Sequence, residues 1–208
     1  MPDVTLLGLP PSSYVRTARM TCSNKGVEYR LQPVDFRSDA YRQEHAFQRM
    51  PVLHHGDVRL YETLAIATYL DDAFDGPPLQ PDAPVDRARM LQWISVTNDY
   101  LYKTIVGCCV SERFVKPMRG LEPDEELIAQ ALPMIDIQLD VLDDALNDTG
   151  HFVGNALSLA DLFVAPIMVY FAATPEGISR LPKKPGIQAW LEKMKATPHW
   201  DEINAIGH

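Results

Sequence analysis

The sequence predicts a small α/β unit followed by an all-helical unit, joined by a proline-rich connector. Short strand-like and helix-like segments alternate before residue 76, whereas helical periodicity continues from residue 85 onward. Between them, four prolines fall within the eight positions 77–84, a pattern that disfavours both helix and sheet. We therefore expect an α/β domain over residues 1–76, a linker over 77–84 and a helical domain over 85–208.

The composition is that of a folded, acidic protein. Hydrophobic residues make up 46% of the 208 residues and charged residues 23%, and the net charge is −9. This charge repels phosphate backbones and anionic membrane surfaces, so we expect neither nucleic acid nor membrane as a partner. No CxxC motif or zinc-ligand spacing involves Cys22, Cys108 or Cys109, which predicts reduced thiols, no metal and a cytoplasmic location. The longest apolar run, 162–173, is too short to span a bilayer.

The first unit alternates apolar strand-like runs with amphipathic helical patterns. Gly26 provides a helix stop, and Gly56 lies in the turn of a predicted hairpin. In order, the predicted elements are a strand over 4–9, a helix over 14–25, a strand over 27–34, a hairpin over 52–54 and 58–61, and a helix over 63–74.

The second unit has helical spacing throughout. The segment 159–170 is apolar on nearly every face, which predicts a central helix surrounded by others. A final helix is expected over 186–195. Two further helices follow from residues spaced by three or four: Leu91, Ile94, Asn98, Leu101, Ile105 and Cys109 on a helix over 85–114, and Leu127, Ala131, Ile135, Leu139, Leu142 and Leu146 on the next.

Hydroxyl groups stand between the first strand and the first helix. Ser12 and Ser13 follow two prolines, where free main-chain N–H groups and the positive end of the helix dipole converge. This arrangement is suited to an anion. Serine is also a favoured N-cap residue, so helix capping alone would explain the pair equally well.

Two further residue pairs, at 50–51 and 62–63, stand at the starts of a predicted strand and a predicted helix. Pro51 leads into a strand, which is compatible with an edge position or a cis bond, although the base rate for X–Pro bonds favours trans. Thr63 is predicted to cap the following helix and expose its amides to a carboxylate, with Glu62 beside it to receive an ammonium group. Capping alone would explain the threonine.

Ser158 and Asp161 have the spacing of a capping box at the start of the apolar helix. We interpret this pair as structural, because it would close a buried helix end whose amides would otherwise be unpaired.

Taken together, these features resemble the glutathione transferase family, in its cytosolic, serine-type, bacterial-like form, over essentially the whole chain. That family joins an N-terminal thioredoxin-like domain to an all-helical C-terminal domain. The matching features are the SSYVRTAR segment over 12–19, Met50-Pro51 for the family's Val-Pro, Glu62-Thr63 for its Glu-Ser, the box at 158–161, and Pro185 with Trp190 for its closing Pro-x-x-x-x-Trp pattern.

The resemblance implies a glutathione site in the first domain. Pro51 would be cis, and the N–H and C=O of Met50 would pair with the cysteinyl unit of glutathione as an added strand does. Glu62 and Thr63 would bind the γ-glutamyl ammonium and carboxylate. The implied glutathione-binding residues are Ser12, Arg49 or Gln48 for the glycyl carboxylate, Met50, Pro51, Glu62 and Thr63.

The resemblance also implies which groups take part in the chemistry. The Ser12 hydroxyl would donate a hydrogen bond to the glutathione sulfur, and Ser13 and Tyr14 are the alternatives for this contact. Glutathione itself would be the nucleophile. The implied electrophile pocket is lined by Leu9, Pro10, Tyr102, Val106 and Arg113.

The expected activity is conjugation of glutathione to a small electrophile by a homodimer, in which Asn98 or Asp99 could reach the neighbour's glutathione. Two alternatives remain open: a zeta-like glutathione-dependent isomerase or dehalogenase, and a non-catalytic glutathione-fold module that binds ligands or proteins.

Overall fold

A computed structural model describes residues 3–147 and 149–206. The described residues form two compact units, one made of the chain to Gln80 together with residues 196–206, the other Pro81–Lys195. The sequence assigned that last segment to the helical domain. It packs with the first unit because its partners lie in the first helix, about 180 residues away, a separation that local periodicity does not register. The boundaries at residues 76 and 84 remain a prediction.

The first unit is built on a four-stranded sheet in the order β2-β1-β3-β4. Strands β1 and β2 pair in parallel, and β3 pairs antiparallel with both β1 and β4. The sequence did not predict α2, which is too short to show a helical period. The elements are β1 Val4–Leu7, α1 Ser13–Asn24, β2 Tyr29–Gln32, α2 Asp39–Glu44, β3 Val52–His55, β4 Val58–Tyr61 and α3 Thr63–Ala73.

The core of this unit lies between the sheet and the helices α1 and α3. Leu6 and Leu53 from adjacent strands join Ala18 of α1 with Ile66 and Leu70 of α3 in one buried cluster. Each of the larger side chains in this cluster contributes on the order of 1.5 to 3 kcal/mol to the stability of the unit when it is buried. This core fixes the positions of the N-terminal ends of α1 and α3.

The second unit is helical throughout, and α7 is buried along nearly its whole length, as its apolar sequence predicts. It packs against α4, α8, α9 and a π-helix that continues α4. The bounds are α4 Pro84–Val96, the π-helix Thr97–Val115, α5 Lys116–Met118, α6 Glu125–Leu146, α7 Leu159–Ala172, α8 Pro175–Arg180, a 3₁₀ turn Leu181–Lys183 and α9 Pro185–Met194.

The predicted fold class is confirmed: a thioredoxin-like sheet-and-helix unit and an all-helical unit. The last helix, α10 Trp200–Asn204, lies on α1 of the first unit. No single helix in the described ranges is long and apolar enough to cross a membrane; the bent pair Leu159–Ala172 with Pro175–Lys183 passes that test jointly, by length and composition only.

Candidate functional site

The beginning of α1 presents Ser12 at the N-cap position. Its Oγ accepts a hydrogen bond from the Val15 N–H at 3.4 Å. A hydroxyl that accepts in this way still has its own hydrogen to donate. Ser12 therefore caps the helix and can, at the same time, donate to an anion in front of it.

The neighbouring hydroxyls differ from Ser12 in exposure and in position. Ser13 is buried as the first helical residue, whereas Ser12 and Tyr14 are half-buried. A ligand sulfur approaching the helix end thus meets Ser12 more readily than Ser13. Tyr14 takes part in other interactions of the structure and remains a candidate for the contact.

Gly8 brings the strand end close to α1. A Cβ at this position would lie 2.5 Å from a methyl group of Val15, a distance that real side chains do not tolerate. Glycine is therefore required here for the backbone to pass over the helix.

The Met50–Pro51 peptide bond is cis, as the resemblance implies. The Met50 Sδ accepts the Leu9 N–H at 3.4 Å, which links this segment to the loop before Ser12. On the other side, the Tyr41 hydroxyl donates to the Arg49 carbonyl at 2.8 Å. Among the hydrogen bonds of the described residues, none uses the N–H or the C=O of Met50, so both can pair with an extended ligand.

The capping role predicted for Thr63 is wrong. Glu62 occupies the N-cap position of α3 with φ 71°, Thr63 is the first helical residue, and no side chain caps the helix. The left-handed conformation of Glu62 is rare for a residue with a Cβ, and it turns the chain sharply from β4 into α3. The first amides of α3 are left open to a carboxylate beside the exposed Glu62 side chain.

His45 is a residue of this region that the sequence analysis did not select. It is buried, its Nδ1 accepts the Phe47 N–H at 3.2 Å, and its ring centroid lies 4.6 Å from that of Tyr61. The hydrogen therefore sits on Nε2, which lies 4.0 Å from the Glu62 carboxylate. Burial lowers the pKa of His45 and outweighs the opposing effect of Glu62. No periodic signal marks it, because it follows a short helix in an irregular segment.

The two residues considered for a glycyl carboxylate are not equivalent. Gln48 has φ 50°; its amide oxygen accepts from Arg42 at 2.9 Å and its amide nitrogen donates to the Ser38 carbonyl at 3.3 Å. Gln48 therefore holds the segment around α2 in place. Arg49 is exposed, and its guanidinium remains the better candidate for binding an anion.

The residues predicted to line the electrophile pocket are distributed over both units. Leu9 and Pro10 belong to the first unit, whereas the π-helix of the second contains Tyr102, Val106 and Arg113. Their convergence in one pocket stays a prediction.

Arg113 has strong partners of its own. Its guanidinium pairs with the buried Glu176 and with the exposed Glu125, and these two carboxylates raise the pKa of Arg113 above its ordinary range. The Cys109 Sγ lies 3.5 Å from Glu176 and shares this cluster. The guanidinium thus stabilises the packing of α8 and α6 against the π-helix.

The three thiols differ in burial. Burial raises the pKa of both Cys22 and Cys109 to about 12, while Cys108 is half-buried. A buried thiol with so high a pKa is a poor nucleophile at neutral pH. In the part of the chain that the structure describes, no group of three or more His, Cys, Asp or Glu side chains could hold a metal ion.

The capping box at α7 is confirmed as a structural feature. The carboxylate of Asp161, which is fully buried, accepts the Ser158 N–H and the Ser158 hydroxyl at 2.9 Å each. It also accepts the Trp190 Nε1–H at 2.9 Å and the Phe152 N–H at 3.2 Å. This carboxylate joins the start of α7 to α9 through one buried network.

The first unit thus combines a thioredoxin-like sheet with a cis-proline, an unpaired main-chain edge at Met50, a serine hydroxyl at the start of α1 and uncapped amides at the start of α3. A family model described as "Glutathione S-transferase, N-terminal domain" matches residues 6–78, and one described as "Glutathione S-transferase, C-terminal domain" matches residues 97–198. The chain belongs to the glutathione S-transferase family.

Individual relatives agree with this assignment. The chain is 31% identical over 196 residues to glutathione S-transferase F14 of Arabidopsis thaliana, covering 88% of this chain and 76% of that protein. Its fold is similar to that of the theta class glutathione S-transferase of Xanthomonas axonopodis pv. citri with glutathione bound, with a TM-score of 0.89, 26% identity and coverage of 100% and 99%. For glutathione transferase F7 of Populus trichocarpa the TM-score is 0.87, with 25% identity and coverage of 96% and 97%.

Proposed function

We propose that this protein binds glutathione in its first unit and adds the glutathione thiolate to a small electrophile. The observation that carries this proposal is the position of Ser12, whose hydroxyl accepts the Val15 N–H and keeps its own hydrogen for an anion at the start of α1. In this reaction Ser12 stabilises the thiolate and glutathione is the nucleophile.

Main-chain and charged groups together account for the binding of the tripeptide. The free N–H and C=O of Met50, next to the cis Pro51, pair with the cysteinyl unit in the manner of an added strand. The open amides of α3 and the Thr63 hydroxyl bind the γ-glutamyl carboxylate, and Glu62 binds the ammonium. The exposed Arg49 is the ligand of the glycyl carboxylate.

The energetics suffice for a useful amount of thiolate. A free thiol has a pKa of about 8.5, and each unit of lowering requires about 1.36 kcal/mol of preferential stabilisation of the anion. One charge-assisted hydrogen bond contributes about 1.5 to 3 kcal/mol and a helix N-terminus up to about 1 kcal/mol. Ser12 and α1 together can thus lower the thiol pKa by about one to three units.

The test measures binding and ionisation separately. Glutathione binding is followed by calorimetry, and the thiolate absorbance of the bound tripeptide is titrated with pH. We expect binding with a thiol pKa well below that of free glutathione. Binding with an unshifted pKa would contradict activation of the thiol, and absence of binding would overturn the glutathione site itself.

Matched variants assign the roles within the site. Ser12→Ala should remove most of the turnover while leaving the dissociation constant of glutathione nearly unchanged, because the hydroxyl acts on the sulfur. Glu62→Gln should weaken binding, because it removes the charge that receives the ammonium. Full turnover in Ser12→Ala would move the assignment to Ser13 or Tyr14, tested with Ser13→Ala and Tyr14→Phe.

We also propose that the protein is a cytoplasmic homodimer. In the first unit, Phe47 is 70% exposed although it is a large apolar side chain next to the site. Light scattering coupled to gel filtration should give the mass of a dimer, and Phe47→Ser should shift it towards the monomer. A monomeric wild-type protein would contradict this assembly and the role of Asn98 or Asp99 across it.

A further inference from the structure

The loop in front of Ser12 has few ways to be held in place. Pro10 and Pro11 have no main-chain N–H, so Leu9 and Ser12 supply the only main-chain donors between residues 9 and 12. The Ser12 N–H donates to the Leu9 carbonyl at 3.1 Å, and the Leu9 N–H donates to the Met50 Sδ at 3.4 Å. Between these two points, the main chain of the loop can form hydrogen bonds only through its carbonyl oxygens.

Arg16 supplies such donors from the first turns of α1. Its Nε donates to the Pro10 carbonyl at 3.4 Å, and its main-chain N–H donates to the Ser12 carbonyl at 2.9 Å. One residue thereby contacts the carbonyl oxygens on both sides of Pro11. The side chain is 1% exposed, so water does not compete for these bonds.

The other end of the same guanidinium is held by the C-terminal segment. Nη2 donates to the Ala205 carbonyl at 2.7 Å and Nη1 to the Asn204 carbonyl at 3.5 Å, at the end of α10. A guanidinium is a rigid planar group, so fixing its Nη atoms also fixes the direction of its Nε–H. The orientation of the bond to Pro10 is therefore set by residues that are distant in sequence.

The C-terminal segment is itself fastened to α1 along several turns. Glu202 pairs with Arg19 at 2.9 Å, and the Ser23 hydroxyl donates to the Pro198 carbonyl at 2.9 Å. Arg19 also donates to the Tyr29 hydroxyl, and none of its described hydrogen bonds reaches the loop. Arg16 and Arg19 are thus two buried arginines on one face of α1 that both contact the C-terminal segment. Of the two, only Arg16 donates a hydrogen bond to the loop.

We propose that Arg16 is a positioning residue for the transferase reaction: held by the C-terminal segment, it fixes the loop so that the Ser12 hydroxyl meets the glutathione sulfur. This inference rests on the proposed role of Ser12. A displacement of about 1 Å at a reacting group can reduce a rate about 100-fold, and a hydrogen bond to sulfur weakens steeply with distance and angle. Arg16 acts through Ser12 and need not touch glutathione.

The test compares Arg16→Lys with Arg19→Lys, the same substitution on the same helix. A lysine keeps the charge but cannot span the Pro10 and Ala205 carbonyls at once. For each protein we would measure the thiol pKa of bound glutathione, its dissociation constant, and the pH profile of kcat/KM with 1-chloro-2,4-dinitrobenzene. Thermal unfolding establishes that each variant is folded, and Arg16→Gln is the second variant should Arg16→Lys not fold.

We expect Arg16→Lys to raise the bound thiol pKa by about one unit and to lower kcat/KM about tenfold below that pKa, with the dissociation constant of glutathione unchanged within about twofold. Arg19→Lys should lower the melting temperature without moving the thiol pKa. A melting temperature that falls in Arg16→Lys while the thiol pKa stays at the wild-type value would overturn the proposal, as would an equal pKa change in Arg19→Lys. A wild-type protein whose bound thiol pKa is not lowered would instead refute the role of Ser12, so the two failures are distinguishable.

Discussion

Replacing Lys25 with methionine should destabilise the first unit strongly. The Lys25 Nζ lies 3.0 Å from an Asp71 carboxylate oxygen, and the two side chains are 3% and 5% exposed. The same ammonium donates to the Gly76 carbonyl at 3.3 Å and the Pro77 carbonyl at 3.2 Å. It therefore fastens the end of α1 to α3 and to the chain that leaves the first unit.

The size of the effect follows from the buried polar groups that lose a partner when the lysine is removed. Removing one partner of a buried ion pair costs about 3 to 5 kcal/mol, because the other charge stays buried. Asp71 keeps the main-chain N–H groups of Leu79 and Gln80 as donors, which limits the loss, whereas the carbonyls of Gly76 and Pro77 lose theirs. These opposing effects keep the expected loss within about 3 to 5 kcal/mol in the free energy of unfolding.

Urea denaturation followed by far-ultraviolet circular dichroism measures this loss. The matched control is Lys195→Met, which removes an exposed lysine paired with Glu192 and should change the free energy of unfolding by less than about 0.5 kcal/mol. A loss below about 1 kcal/mol in Lys25→Met would refute the reasoning, because it would mean that the buried carboxylate is stabilised without its cation.

Three further outcomes are expected. Asp161→Ala leaves four donors unpaired in the interior and should lower the free energy of unfolding by at least about 3 kcal/mol in urea denaturation, with Asp136→Ala as the surface control. Burial lowers the pKa of His45 from 6.5, so the unfolded state binds the proton more readily than the folded state. The free energy of unfolding of the wild-type protein should therefore fall as the pH drops below 6.5, and it should fall less in His45→Gln. Parallel pH profiles of the two unfolding free energies would contradict this. Iodoacetamide on the native protein should label Cys108 well before the two buried cysteines, as read by peptide mass spectrometry; equal labelling would contradict the burial.

The sequence predicted the fold well where side-chain periodicity determines burial. The fully apolar segment starting at Leu159 is the central helix, and the hairpin around Gly56 forms β3 and β4. The sequence predicted the type of helix less well where one residue spacing fits two kinds of helix. Residues such as Leu101 and Ile105 are four apart, which fits both an α-helix and the wider turns of a π-helix. Leu91, which the spacing placed on one helix face with Ile94, is 43% exposed, and the adjacent Met90 is buried instead.

The site was predictable only in its local parts. The position of Ser12 follows from a strand, two prolines and a helix that are contiguous in sequence. The N-cap position of Glu62 was not predictable, because it depends on a left-handed backbone conformation that is rare for a residue such as glutamate. The hydrogen bond from Arg16 to the Asn204 carbonyl was not predictable either, since a contact across 188 positions leaves no periodic signal in the sequence.

The departures of this chain from its family's usual residues are consistent with a site that depends mainly on the backbone. Met50 replaces the usual valine, yet the groups proposed to meet glutathione there are its N–H and C=O, which any residue other than proline supplies. Thr63 replaces serine at the first turn of α3, where both residue types offer a hydroxyl beside the helix amides. Substitutions that keep the backbone in place should therefore be tolerated at both positions. The position of Ser12 is different, because its proposed contact with sulfur is made by the side chain, and any change that displaces its loop acts directly on the chemistry.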